Sequence, residues 1–175
     1  MNVWALTKIN YGLYIVGSSD GSKINAQCAN TVFQVTSEPV RIAICINKQN
    51  LTHEYISKSG VFSISVLSQE TTFNLIGRFG FRSGRDFNKF QGINYKIGKA
   101  GSPIVIDYTL AYLAYMECKV VKSMDAGTHT LFGGELVDAD ILKEGIPMTY
   151  DYYHRVVKGK EPRTAPTFIK EKKEV

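Results

Sequence analysis

The sequence predicts a mainly β domain whose strands close into an antiparallel barrel with a few short helices. Strand-like alternation recurs along most of the chain, only two short helical patterns interrupt it, and Asp20-Gly21 places a tight hairpin signal between two such runs. Many strands with so few helices between them argue against the alternating β-α-β units of a parallel sheet. At 175 residues the chain fits one domain, large enough to bury a core without disulfide or metal support.

In chain order, "YGLYIVGSS" and "KINAQCANTVFQVTS" flank the Asp20-Gly21 turn. "VRIAICINK" follows, alternating Val40, Ile42, Ile44 and Ile46, and a helix is predicted from about Thr52 to Lys58, stopped by Gly60. "VFSISVL" sets Phe62, Ile64 and Val66 against Ser63 and Ser65, the pattern of a half-buried strand. A second helix is predicted across "QETTFNLIGRF", ending near Gly80, and two further strands across "TLAYLAYMECKVVKSM" and "HTLFGGELVDADIL".

Composition excludes several classes. The apolar share of 44% is ordinary for a globular protein, and no apolar run is long enough to cross a bilayer. The first residues lack a basic segment followed by an apolar block, so no signal peptide is expected. Cys28, Cys45 and Cys118 form no CxxC pair, which suits a reducing compartment and predicts a cytoplasmic protein. The net charge of +5 crowds into the stretch from Arg155 onward, without the aromatic-and-basic stripe of a nucleic-acid surface, and reads as a solvated tail.

One corner concentrates polar donors. The strand ending at Asn47 runs into the first predicted helix, whose N-terminus exposes free N–H groups and partial positive charge. Lys48 adds a full charge there, and Asn50 and Thr52 add neutral donors suited to phosphate oxygens. The same residues also fit an ordinary helix cap beside a solvated lysine. The preceding strand is unusual: Asn25, Gln27, Asn30 and Thr31 are separated only by the small residues Ala26, Cys28 and Ala29. Small side chains let a flat ring lie against backbone, and amides offer both donors and acceptors, as the pyrimidine edge of a flavin requires.

"NAQCANTVFQVTSEPVRIAICINKQNLTHEYI", "IGRFGFRSGRDFNKF" and "GTHTLFGGEL" together resemble the flavin reductase-like family of FMN-binding split barrels, which includes flavoredoxins, ferric reductases and the flavin domain of high-molecular-weight rubredoxins. The resemblance runs from about Tyr11 to Ile169 and divides the chain into a flavin-binding domain over 1–158 and a basic tail over 159–175. It implies a homodimer with FMN near each subunit interface, either an oxidoreductase with NAD(P)H as co-substrate or an electron carrier without direct nicotinamide activity. Asn25 to Thr31 would carry the ring and ribityl chain, and Asn47, Lys48, Asn50 and Thr52 the phosphate. Two departures stand out. Gly127-Thr128-His129 replaces a frequent Gly-Asp-His, so the histidine carries over and the aspartate does not; and no CxxC pair of a rubredoxin iron site is present, which points to a separate acceptor such as a small iron protein.

Flavin chemistry needs no nucleophile triad or paired carboxylates, and none emerges; "GRFGFRSG" has the wrong spacing for a dinucleotide-binding turn. His129 is expected beside the nicotinamide face of the flavin or, equally, as a hydrogen-bonded barrel residue. His53 and His154 read as surface and packing residues, with no second metal ligand at helical spacing, and Cys28 as a small buried thiol. Arg82, Arg85 and Lys89 are expected outside a Phe-anchored loop, either free to dock an anionic substrate or acceptor or, in a solvated loop, with the arginines paired with surface carboxylates.

Overall fold

The computed structural model describes residues 1–106 and 112–169. A short 3-10 helix, Val3–Lys8, precedes β1 (Tyr14–Ser19), β2 (Ile24–Ala29), β3 (Val32–Ser37) and β4 (Val40–Asn47). Helix α1 (Leu51–Ser59) leads to β5 (Val61–Leu67), and α2 (Phe73–Gly80) to a small hairpin, β6 (Tyr95–Ile97) and β7 (Pro103–Val105). Two long strands, β8 (Tyr112–Ala126) and β9 (His129–Ile141), and helix α3 (Tyr150–Arg155) complete the chain. Seven strands form one antiparallel sheet in the order β2-β1-β5-β8-β9-β4-β3.

The closure follows from the connectivity. The two edge strands, β2 and β3, are joined by Asn30 and Thr31 alone, so their ends lie at most about 11 Å apart. A flat seven-stranded sheet is about 29 Å wide. The sheet must therefore curl until its edges meet, yet no ladder joins β2 to β3 among the described residues. The barrel is closed by the covalent chain and left open as a seam.

Inside the barrel, Val16, Ile42, Ile44, Ile46, Phe62, Ile64 and Phe132 pack with Ile56 of α1. A second apolar cluster sits between the outer side of β1 and β2 and the helices, with Leu13, Ile15, Ile76, Phe79, Phe90 and Tyr153. Gly60 ends α1 in the left-handed region at φ 69°, its N–H donating to Ile56 at 2.8 Å.

Three expectations change. The single run from Lys23 to Ser37 is two strands, broken at Asn30-Thr31 where the chain crosses the seam. β5 is buried on both faces: the hydroxyls of Ser63 and Ser65 donate to the Pro103 and Val105 carbonyls of β7, which roofs the face expected to meet solvent. The tail is not free up to residue 169, although Lys158, Lys160 and Arg163 stay exposed. Tyr153 donates to the Lys160 carbonyl at 2.9 Å, and Asn30 to the Thr167 hydroxyl at 2.9 Å, so the segment returns across the seam as a strap. Residues 170–175, and positions 109–111 of the β8 run, lie outside the described residues.

Candidate functional site

The unpaired edge of β2 faces a cavity of about 330 Å³. Its wall combines Asn25, Gln27, Cys28, Ala29 and Asn30 with Cys45 and Asn47 at the end of β4 and Asn50 and Thr52 at the start of α1. Helix α2 and the following loop contribute Ile76, Phe79, Arg82, Ser83, Gly84 and Lys89; α3 and the strap contribute Tyr150, Tyr153, Lys160, Glu161 and Thr164. The site lies where the barrel leaves backbone unpaired, so it is a consequence of the seam.

The polar strand and the helix start do meet. Asn25 Nδ2 donates to Thr52 Oγ1 at 2.9 Å, which couples β2 to the first turn of α1. Asn50 is the N-cap residue, but no side-chain cap bond is made there, so its amide remains on the cavity wall. Gln27 Oε1 is buried without a hydrogen-bond partner. An orphaned acceptor in a cavity wall marks a place where a ligand donor belongs, because leaving it unpaired costs about 1–3 kcal/mol. The ring imide of a flavin is such a donor, so these residues fit the cofactor the sequence implies.

Other assignments move. The Ala26 side chain is fully buried in the core, and only its carbonyl serves the site, accepting from Lys89 Nζ at 2.9 Å. Thr31 stands behind Asn30, donating to Asn30 Oδ1 at 3.2 Å. Lys48 is turned away from the cavity: its ammonium holds both carboxylate oxygens of Asp125 at 2.8 Å. The physical reason is strand register. Asn47 pairs with His129, which brings the β8-β9 turn and its Asp125 alongside the next residue. Exposed pairs of this kind contribute little. Lys48→Ala is therefore expected to leave flavin affinity within about threefold of wild type, as read by fluorescence titration.

The basic loop is divided rather than uniformly outside. Arg82 is exposed at the cavity mouth, its guanidinium 4.5 Å from the Phe87 ring centroid. Arg85 is paired with Glu54 at 2.9 Å and does not line the cavity. Lys89 is buried, with only 5% exposure, and donates to the carbonyls of Ala26 and Phe79 at 2.9 and 3.2 Å. Burial lowers its pKa to about 8. It is not a docking cation.

His129 does not line the cavity. Its Nε2 lies 3.2 Å from the Thr164 carbonyl, which can only accept, so that nitrogen carries a proton, and Nδ1 meets the Thr128 hydroxyl at 2.8 Å. Asn47 Nδ2 donates to the same carbonyl at 3.4 Å. Asn47 and His129, paired across β4 and β9, thus hold the strap down. Glu161 accepts from the hydroxyls of Tyr150 and Thr167, which anchors the strap to α3.

Cys28 is enclosed, its thiol 3.5 Å from the Ile76 carbonyl, and burial pushes it up to about 12. It stays a neutral thiol. His53 bonds Thr130 at 2.8 Å and His154 meets the Gly159 carbonyl at 3.0 Å, and among the described residues no cluster of His, Cys, Asp and Glu could hold a metal.

The strap, with Tyr150, Tyr153 and Cys45, is the part of the site that sequence reasoning missed. A signal was present in "EPRTAPT", where Pro162 and Pro166 stiffen an extended segment right after a tyrosine cluster.

Comparison with known proteins gives the family and the fold. The family model "Flavin reductase like domain" matches residues 6–160. The chain is 53% identical over 168 residues to a high molecular weight rubredoxin of Moorella thermoacetica, covering 96% of this chain and 72% of that protein. It is 52% identical over 172 residues to a ferric-chelate reductase (NAD(P)H) of Archaeoglobus fulgidus, covering 98% of this chain and all of the relative. Among solved structures, an NADH:FAD oxidoreductase of Streptomyces globisporus superposes with TM-score 0.73 at 22% identity, over 83% of each chain. A flavoredoxin of Methanosarcina acetivorans superposes with TM-score 0.67 at 22% identity, over 75% of this chain and 68% of that one; both likenesses speak for the fold. With a seam-lining amide strand, an orphaned acceptor and a family match over most of its length, this chain belongs to the flavin reductase-like domain family.

Proposed function

We propose that the chain is an FMN-dependent NAD(P)H oxidoreductase that passes electrons from a reduced nicotinamide through bound flavin to free flavin, a ferric complex or a rubredoxin-like iron protein. The observation that carries this reading is the cavity along the unpaired β2 edge, where Gln27 Oε1 lacks a partner and Arg82, Lys89 and Lys160 outnumber the single carboxylate of Glu161. Such a wall favours an anionic ligand with both donors and acceptors. Asn25, Gln27 and Asn30 would hold the ring edge, and Asn47, Asn50, Thr52 and the α1 N-terminus the phosphate. Bound there, the flavin supplies acceptance of an electron pair and its release singly or in pairs. The protein's own part is to bind, orient and shield. The full-length match to the ferric-chelate reductase (NAD(P)H) supports nicotinamide as donor, and the match to the high molecular weight rubredoxin supports an iron-protein acceptor.

A homodimer belongs to the same reading. Edge strand β3 exposes Phe33 and Val35, half accessible in the single chain, and a second copy would cover them. The free thiols Cys28, Cys45 and Cys118 fit a cytoplasmic setting, and no helix among the described residues is long and apolar enough to cross a membrane.

The second reading is an FMN-binding electron carrier that nicotinamide does not reduce directly. The strap favours it, because Thr164 and its neighbours occupy one wall of the cavity and would narrow access to the ring. Anaerobic mixing of the FMN-loaded protein with NADH or NADPH separates the two. Bleaching of the flavin band within seconds supports the oxidoreductase; no bleaching by either nucleotide, with dithionite effective, leaves the carrier.

A further inference from the structure

Lys89 is the most unusual charge in the molecule. Its side chain lines the cavity, yet it is buried, and among the described residues it has no carboxylate partner. An ammonium has three N–H donors. Two are taken by the Ala26 and Phe79 carbonyls, from the site strand and from α2 respectively. Burying a cation without an anion costs several kcal/mol, and two neutral carbonyls offset only part of that. Sequence position gives no reason for it, since the neighbours Arg82 and Arg85 lie at the surface.

We propose that Lys89 is the electrostatic partner of the ring held in this cavity, a buried cation that favours the reduced, negatively charged flavin over the oxidised, neutral ring. The proposal rests on the flavin reading above. Uptake of two electrons and one proton leaves the ring with one negative charge; the electrons and the proton come from the reduced nicotinamide, which leaves as its oxidised form. Lys89 gives up nothing in this step. It supplies the countercharge that the site otherwise holds only at the exposed Arg82 and Lys160. Among the groups lining the same cavity, Cys28 on β2 and Tyr153 on α3 are pushed up to about 12 by burial and stay neutral, Tyr150 is raised in the same way, and the Glu161 carboxylate bonds two hydroxyls and forms no ion pair with Lys89.

The test is the midpoint potential of bound FMN in wild type, Lys89→Met and Lys89→Arg, by dye equilibration. Methionine should weaken binding of reduced relative to oxidised FMN by about tenfold or more, a fall of about 30 mV for each factor of ten in a two-electron couple. Arginine should restore most of the loss. An unchanged potential in a methionine variant that binds FMN overturns the proposal. A second readout needs no variant. Because burial lowers Lys89 to about 8, reduction above that pH should draw one further proton onto it, and the potential should fall by an additional ~30 mV per pH unit. A wild-type profile with no such steepening between pH 8 and 10 also overturns it. If the wild type binds no FMN at all, the flavin reading fails, which is a different outcome from bound FMN indifferent to Lys89.

Discussion

Replacing Glu117 with alanine is expected to destabilise the protein by about 2–4 kcal/mol. Glu117 lies on β8, fully buried, and its carboxylate collects the turn of the β6-β7 hairpin. One oxygen accepts from the Ala100 N–H at 2.8 Å; the other accepts from the Ser102 N–H at 3.0 Å and the Ser102 hydroxyl at 2.6 Å. Truncation leaves all three donors without an acceptor, and each unsatisfied buried donor costs on the order of 1 kcal/mol or more. The hairpin also roofs β5 through Ser63 and Ser65, so its loosening exposes the outer face of a central strand. Thermal unfolding should shift down by roughly 6–12 °C. Glu117→Gln keeps an acceptor but turns an amide N–H toward donors, and should fall between. A Tm of the alanine variant within about 2 °C of wild type would show that the hairpin is held by other contacts.

The second large effect is expected on binding. Gly84 sits where the basic loop passes over Asn25: a Cβ there would lie 2.7 Å from Asn25 Cγ, closer still to Oδ1, and 3.1 Å from Leu51 Cδ2. Asn25 cannot step aside cheaply, since its amide is bonded to Thr52. Gly84→Val must therefore lift the loop, and with it Arg82 and Ser83, or break the Asn25–Thr52 link that joins the two halves of the site. Either outcome should raise the Kd for FMN roughly 10- to 100-fold, about 1.4–2.8 kcal/mol. The loop is at the surface, so Tm should fall by less than about 4 °C. Wild-type affinity in the valine variant would place the ligand away from this wall.

What the sequence made legible follows from periodicity and residue chemistry. The alternation in β4 and the glycine stop of α1 stand as expected, because both are local. Asn25 meets Asn50 and Thr52 because a short polar side chain in a strand of small residues has few uses other than facing the polar start of α1. Lys48 and Lys89 lie elsewhere than expected for a reason no local pattern carries: the β8-β9 register supplies Asp125 to one, and the edge of β2 supplies a carbonyl to the other. The two-sided burial of β5 depends on a hairpin of three-residue strands, too short to show a period. The strap escaped because its density of basic residues suggested solvent, whereas its contacts are made by Glu161, Thr167 and backbone carbonyls between the basic residues.

The central claim is that the cavity along the unpaired β2 edge holds FMN. Titrating FMN into the purified protein while following flavin fluorescence tests it most directly. The account predicts saturable quenching at one FMN per chain, weakened in Gly84→Val and unaffected in Lys48→Ala. Absence of saturable binding by the folded wild-type protein would contradict it.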